Sequence, residues 1–240
     1  MIKSALPKCY KGGLTMNQEE ICRFICQELP RHCLQSLLES IEAAFDRSDK
    51  QLKENYQHVP LAGPGPQSHH FQVQETLLRL PAENGFEVIN RTTRPAGGHF
   101  ALVCAGSLKI TASVITTDRT PPIRDAKFRR DLSQENRRLH QQHPDLFEPF
   151  VPPFGPQDES LHVLLLPYTA KWSEADHSAP LDCIVAVPYS DDLNRYHMRI
   201  SADQLWQYYE EEPGFEDIAY PKLRDRMRDA EAQDNEGGKE

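Results

Sequence analysis

No stretch of this chain approaches the roughly 18 consecutive apolar residues that a membrane-spanning helix requires. The longest apolar stretches, such as 161–167 and 183–188, are strand-sized. Phosphate-cradling glycine motifs are missing as well. Neither G-x-x-x-x-G-K-[ST] nor G-x-G-x-x-G occurs, because Gly63 and Gly65 are separated by a proline and no third glycine follows. That argues against a P-loop nucleotide hydrolase and against a Rossmann dinucleotide site. There is no G-x-S-x-G elbow for a serine nucleophile and no H-E-x-x-H zinc motif. Lys3, Lys8 and Lys11 are followed by no apolar core, which argues against a cleaved secretory signal. Positive charge is in deficit: 27 Lys+Arg against 36 Asp+Glu give a net charge of −9. Such a chain repels phosphate at long range, so a nucleic-acid binder that is basic throughout is disfavoured.

What is present suffices for a folded core. Hydrophobic residues make up 38% of 240, below the usual apolar share yet outside the disordered range. The length suits one large domain or a domain with appendages. The six cysteines (Cys9, Cys22, Cys26, Cys33, Cys104 and Cys183) sit mostly inside apolar patterns. In a long chain without a signal they read as free, buried thiols of a reducing cytoplasm. The C-x3-C-x6-C spacing of Cys22, Cys26 and Cys33 matches no compact zinc pattern, so no metal and no cofactor are expected.

Residues 1–15 show no periodicity and read as a flexible tail, with Met16 as a candidate alternative start. Cys22, Ile25, Cys26 and Leu29 repeat at three and four. After Pro30 a second helix carries Leu34, Leu37, Leu38, Ile41, Ala44 and Phe45 on one face. Residues 16–57 are therefore expected to form a helical N-terminal region. Residues 58–67 hold two prolines and two glycines within 61–66 and read as a linker. A helix with Ser68 as candidate N-cap follows, placing Phe71, Gln74, Leu77 and Leu78 on one face. The period then changes to two. Residues 86–92, 99–104 and 108–116 read as three strands of an antiparallel meander, since their short links cannot carry a parallel crossover. A helix is predicted over 124–142. Five prolines within 143–158 then make an irregular connector. Strands are predicted at 161–166, 182–187 and 195–200. Ser201 and Gln204 have capping-box spacing for a helix running to about residue 211. The expected class is α+β: an antiparallel sheet of short strands with flanking helices, preceded by the helical region. The α+β domain would span 68–212, with an acidic, partly disordered tail over 213–240.

The 124–142 segment is the most informative one. Between 119 and 138 there are seven basic residues against three acidic ones. At 100° per residue, Lys127, Arg130, Arg137 and Arg138 lie opposite an apolar stripe of Phe128, Leu132 and Leu139. Together with Arg124 they form a candidate face for nucleic acid or an acidic protein segment, because the arginine fork suits phosphate and carboxylate. The plainer reading is a solvated helix that pairs with the protein's own acids, such as the twelve between 199 and 240. Trp206 and Tyr209, three apart on one helix, are candidate interface aromatics, with core packing as the alternative.

Other constellations are thinner. His69 and His70 are adjacent, about 100° apart on a helix, and poorly placed to share an ion. Glu75, Glu87, Asp118 and Asp182 with Lys109 could supply a metal-dependent nuclease. The acid-x-lysine signature fails, however, because Ser107 stands two residues before Lys109. Three functional readings follow, in this order. The first is a non-enzymatic cytoplasmic binding or regulatory protein acting through protein–protein contact, with no membrane partner. The second is a nucleic-acid-associated toxin–antitoxin or phage-defence component using the basic helix, an analogy from size, charge and compartment. The third is a nuclease or other hydrolase with scattered catalytic residues.

Overall fold

The computed structural model describes residues 16–58, 60–80, 85–93, 98–116, 123, 125–142, 160–169 and 177–209. The expected flexible tail, proline-rich connector and acidic tail lie outside the described residues. The chain divides into two units, Met1–Tyr209 and Glu210–Glu240, and all the described residues belong to the first.

Helix α1 (Met16–Glu28) and helix α2 (Arg31–Asn55) meet at Pro30. Proline is tolerated there because its missing N–H falls where a helix start leaves donors unpaired. Its carbonyl accepts from Cys33 and Leu34 N–H at 2.9 and 3.1 Å. The three-and-four spacing buries Ile21, Cys22, Ile25 and Leu29 on α1 and its C-terminal end. On α2 it buries Leu34, Leu37, Ile41, Ala44 and Phe45. Helix α3 (Gly65–Leu78) begins three residues before the predicted cap, with Pro64 at the cap position. Its inward face is His69, Val73 and Leu77 with Gln74. Phe71, expected inside, is 58% exposed, since the i, i+4, i+8 ridge of His69, Val73 and Leu77 faces the core and leaves it on the outer side of the helix.

Strands β1 (Glu87–Thr92), β2 (His99–Ala105) and β3 (Leu108–Ala112) form the predicted antiparallel meander. The β2–β3 turn uses Gly106 at φ +54°, a region costly for residues with a Cβ. A Cβ there would also strike the Glu28 carboxylate, which accepts from Ser107 N–H at 2.6 Å and ties α1 to the turn. β4 (Ile115–Thr116) follows. Helix α4 (Lys127–Ser133) continues as a 3₁₀ helix over Gln134–Gln142, leading to β5 (Leu161–Thr169), β6 (Asp182–Pro188) and β7 (Tyr196–Ser201). Ser201 caps α5 (Ala202–Trp206) with both bonds of the capping box.

The fold is α+β, with one departure from an all-antiparallel sheet. The order is β1-β2-β3-β5-β6-β7, and β3 and β4 pair with β5 in parallel. The segment between β4 and β5 is long enough for the crossover that parallel strands need. No local strand pattern announces it.

One sheet face carries Ala101, Val103, Leu108, Ile110, Val163, Leu165, Val185, Met198 and Ile200. They share a single core with Ile21, Leu34, Phe45, Val73, Leu77 and Leu205 from the helices. The predicted helical region and α+β domain are thus joined by one hydrophobic cluster. The Pro/Gly segment expected to divide them is a turn into α3, with Gly65 N–H donating to Leu61 O at 2.8 Å. The opposite sheet face carries a smaller apolar cluster of Leu164, Leu166, Tyr168, Ala186, Ile115 and Ile123. Near it, α4 and the 3₁₀ helix lie across the sheet.

Candidate functional site

Two features stand out: a polar row beneath α4, and a groove between α2 and α3. The row follows from strand register. Glu87 faces Cys104, Cys104 faces Lys109, and Lys109 faces His162 across four neighbouring strands. With period two, these side chains share the face opposite the main core. From above come Arg129, Glu135 and Asn136. The 3₁₀ helix explains why Asn136 points inward. Tightening from 3.6 to 3.0 residues per turn aligns residues three apart, so Ser133, Asn136 and Leu139 form one buried ridge continuous with Arg129. The apolar stripe predicted at constant helical pitch is therefore only partly realised. Leu139 is buried, but Phe128 is half-buried, its ring stacked on Phe100 at 3.8 Å.

Glu135 bridges Lys109 Nζ and Ser160 Oγ, both at 2.5 Å, in a half-buried pair at the rim. Deeper in, His162 is wholly buried. Its Nε2 shares a hydrogen bond with Thr111 Oγ1 at 3.1 Å, and its Nδ1 has no partner among the described residues. Burial, reinforced by the Arg129 and Lys109 charges, pushes the His162 pKa down to about 3. At neutral pH it is a neutral ring. Burial also pushes the Cys104 thiol up, with Glu87 adding to that and Lys109 and Arg91 opposing it. The thiol is protonated, and the neutral imidazole lies two strands away with Lys109 between them, so the row lacks the thiolate and adjacent base that nucleophilic chemistry needs. The row is suited to holding the crossover onto the sheet.

This makes stability pH-dependent. His162 has an ordinary value of 6.5 and a lowered one in the fold, so the unfolded chain takes up the proton first. The stabilisation is fully present above about pH 6.5 and is lost as pH falls toward 3, at up to about 1.4 kcal/mol per pH unit. His162→Gln should flatten the slope of urea-unfolding free energy against pH by about one proton in that window. An unchanged slope would show that His162 does not carry it.

The groove is lined by Gln51, Leu52, Asn55 and Tyr56 of α2 and its C-terminal end, and by Pro64, Gln67, Ser68, Phe71 and Gln72 of α3 and its start. Its volume is about 370 Å³, and no lining residue carries a charge. Gln72 Nε2 donates to Gln51 Oε1 at 2.8 Å across it. Three large hydrophobic side chains are exposed among the described residues: Tyr56, Phe71 and Leu181. Two of the three line this groove. Ser68 at its wall pairs with the buried Ser48 at 2.8 Å, and His69 behind it donates from Nε2 to His177 O at 2.9 Å. His69 is thereby committed to the fold. His70 instead packs on Phe71, its ring centroid 6.0 Å away.

The basic residues are distributed differently from the expected single face. Lys127 pairs with Asp131 and Arg130 with Asp125, each at 2.9 Å and on exposed side chains. Arg137 is exposed, while Arg129 is buried. Arg124, like the Arg138 side chain, lies outside the described residues. Trp206 and Tyr209 pack against the main core. The Arg31 guanidinium lies 4.8 Å from the Trp206 ring, and Tyr209 Oη donates to Leu29 O at 2.7 Å. The carboxylates weighed for a nuclease are dispersed. Glu75 pairs with Arg79 on α3, Asp182 sits at the start of β6, and Asp118 lies outside the described residues. Among the described residues no group of three or more His, Cys, Asp or Glu is placed to hold a metal.

Comparison with protein-family models, with curated proteins and with solved structures returns no match. No helix among the described residues is long and apolar enough to cross a membrane.

The groove is hidden from sequence reading because apolar periodicity assigns Phe71 to the core face. Arg129, Asn136 and His162 are hidden too: Arg129 is buried on α4 itself, and the change of helical pitch after it turns Asn136 inward over His162.

Proposed function

We propose that the protein works by protein–protein contact, as a binding or regulatory component that captures a neutral, extended segment of its partner in the α2–α3 groove. The observation that carries this reading is the clustering of Tyr56 and Phe71 at one uncharged groove in a strongly acidic chain. Isolated exposed hydrophobics are ordinary, but neighbouring aromatics around a concavity mark an interaction site. The side-chain amides of Gln51, Asn55, Gln67 and Gln72 offer both donors and acceptors, which match the peptide groups of an extended strand. The basic helix supports the nucleic-acid reading less well, since local aspartates already engage Lys127 and Arg130. A cytoplasmic location fits the five free thiols among the described residues.

Selection from a random peptide library tests the reading. The wild-type chain should enrich neutral sequences with an apolar residue. A Tyr56→Ser/Phe71→Ser variant should enrich none, while keeping its unfolding free energy to within about 1 kcal/mol because both sites are surface ones. Equal enrichment by both proteins, or none by either, would overturn it.

A further inference from the structure

Strand β1 ends the sheet, and no described strand lies beyond it. Glu87, Asn90, Arg91 and Thr92 are exposed, with Val88 and Ile89 half-buried. The ladder determines which way each β1 residue turns its backbone. Thr93 N–H donates to Gly98 O at 2.8 Å, and the β1–β2 register runs back from there as Arg91↔Phe100, Ile89↔Leu102 and Glu87↔Cys104. By the alternation of an antiparallel ladder, Glu87, Ile89 and Arg91 turn their N–H and C=O toward β2. Val88, Asn90 and Thr92 turn theirs outward, toward whatever pairs with the edge.

Charged side chains on an edge strand normally discourage pairing with other strands. Here the pattern is complementary to itself. We propose that β1 pairs antiparallel with β1 of a second copy of this chain, about a two-fold axis through Ile89. That register places Val88 and Asn90 as hydrogen-bonded partners. It sets Glu87 against Arg91 of the other copy twice, with Ile89 against Ile89 between them. These facing positions are non-hydrogen-bonded pairs, the closer kind, in which opposite charges attract and like charges repel. A one-residue shift to an axis through Asn90 would put Ile89 against Arg91 and lose both ion pairs. The same charges admit a second β1 and reject a strand of another charge pattern. The contact is independent of the α2–α3 groove.

Sedimentation velocity of the full chain over a concentration series tests this. The wild type should show a reversible, salt-sensitive dimer. Glu87→Arg alone and Arg91→Glu alone each set like charges face to face, and each should raise the dimer dissociation constant by about tenfold or more. Mixing those two variants should restore dimers, because an edge with two arginines then meets an edge with two glutamates. Ile89→Cys should form a disulfide between two copies, mapped by mass spectrometry, whereas Asn90→Cys should not. A wild type monomeric at every concentration, dimers indifferent to both reversals, or a mixture that stays monomeric would overturn the proposal.

Discussion

Asn136→Leu is expected to lower the free energy of unfolding by about 3–5 kcal/mol, because this amide fills a split in the sheet. The β5–β6 ladder runs as far as Leu164↔Ala186, and the next pair in phase would be His162 with Pro188. Proline has no N–H, so His162 C=O cannot receive its ladder bond. Asn136 enters the gap. Its Nδ2 donates to His162 O at 3.1 Å and to Pro188 O at 2.9 Å, and its Oδ1 accepts from His162 N–H at 2.9 Å. Leucine fills similar space but satisfies none of the three groups, and each buried, unpaired group costs about 1–3 kcal/mol. Closing the split would rejoin His162 N–H to Pro188 O, yet His162 O would stay unpaired. Asn136→Asp keeps the acceptor and loses both donors, so it should also destabilise strongly. Against the roughly 5–15 kcal/mol of a typical fold, either change is severe. Urea unfolding followed by circular dichroism would measure it. A loss below about 1 kcal/mol would mean that water or a local shift replaces the amide.

Gln74→Leu should cost about 2–4 kcal/mol for a parallel reason. β2 and β3 pair from Ala105↔Leu108 to Val103↔Ile110 and then diverge. The next partners, Ala101 and Ala112, are bridged by one buried glutamine. Ala101 N–H donates to Gln74 Oε1 at 2.8 Å, and Gln74 Nε2 donates to Ala112 O at 3.1 Å. Two buried backbone groups lose their partners in the leucine variant. Gln74→Glu keeps the acceptor for Ala101 but buries a carboxylate facing a carbonyl, so it should be no better tolerated. Hydrogen exchange at the Ala101 amide gives a local readout: protection should collapse in Gln74→Leu, which removes its acceptor. Retained protection would show that β2 and β3 close directly.

Much of the architecture is legible in the residues. The three-and-four spacings on α1 and α2 identify their buried faces. The period-two runs and short glycine turns identify the meander, and Ser201 with Gln204 marks the start of α5. Each of these signals is local, because a helix or strand repeats faster than the chain changes direction. The candidate site is far less legible. Phe71 looks apolar and periodic, but packing turns the His69, Val73 and Leu77 ridge to the core and leaves Phe71 exposed at the groove that Tyr56 also lines. The basic segment reads as one arginine face at constant pitch. The switch to a 3₁₀ helix at Gln134 re-phases that face and presents Asn136 to the sheet.

Residue order is therefore enough to establish the class of the fold, the faces of its longer helices and the meander. The net charge disfavours a chain basic throughout, and the missing motifs leave several enzyme classes without support. Other properties exist only once the chain is assembled. β5 joins β3 in parallel, one core unites the N-terminal helices with the sheet, and two buried amides bridge the splits in its ladders. These features depend on groups far apart in the chain, such as Gln74 with Ala101 and Ala112, or Asn136 with His162 and Pro188. Their energy comes from satisfying backbone groups that burial would leave unpaired. No periodicity records that requirement, because it arises only when distant strands meet.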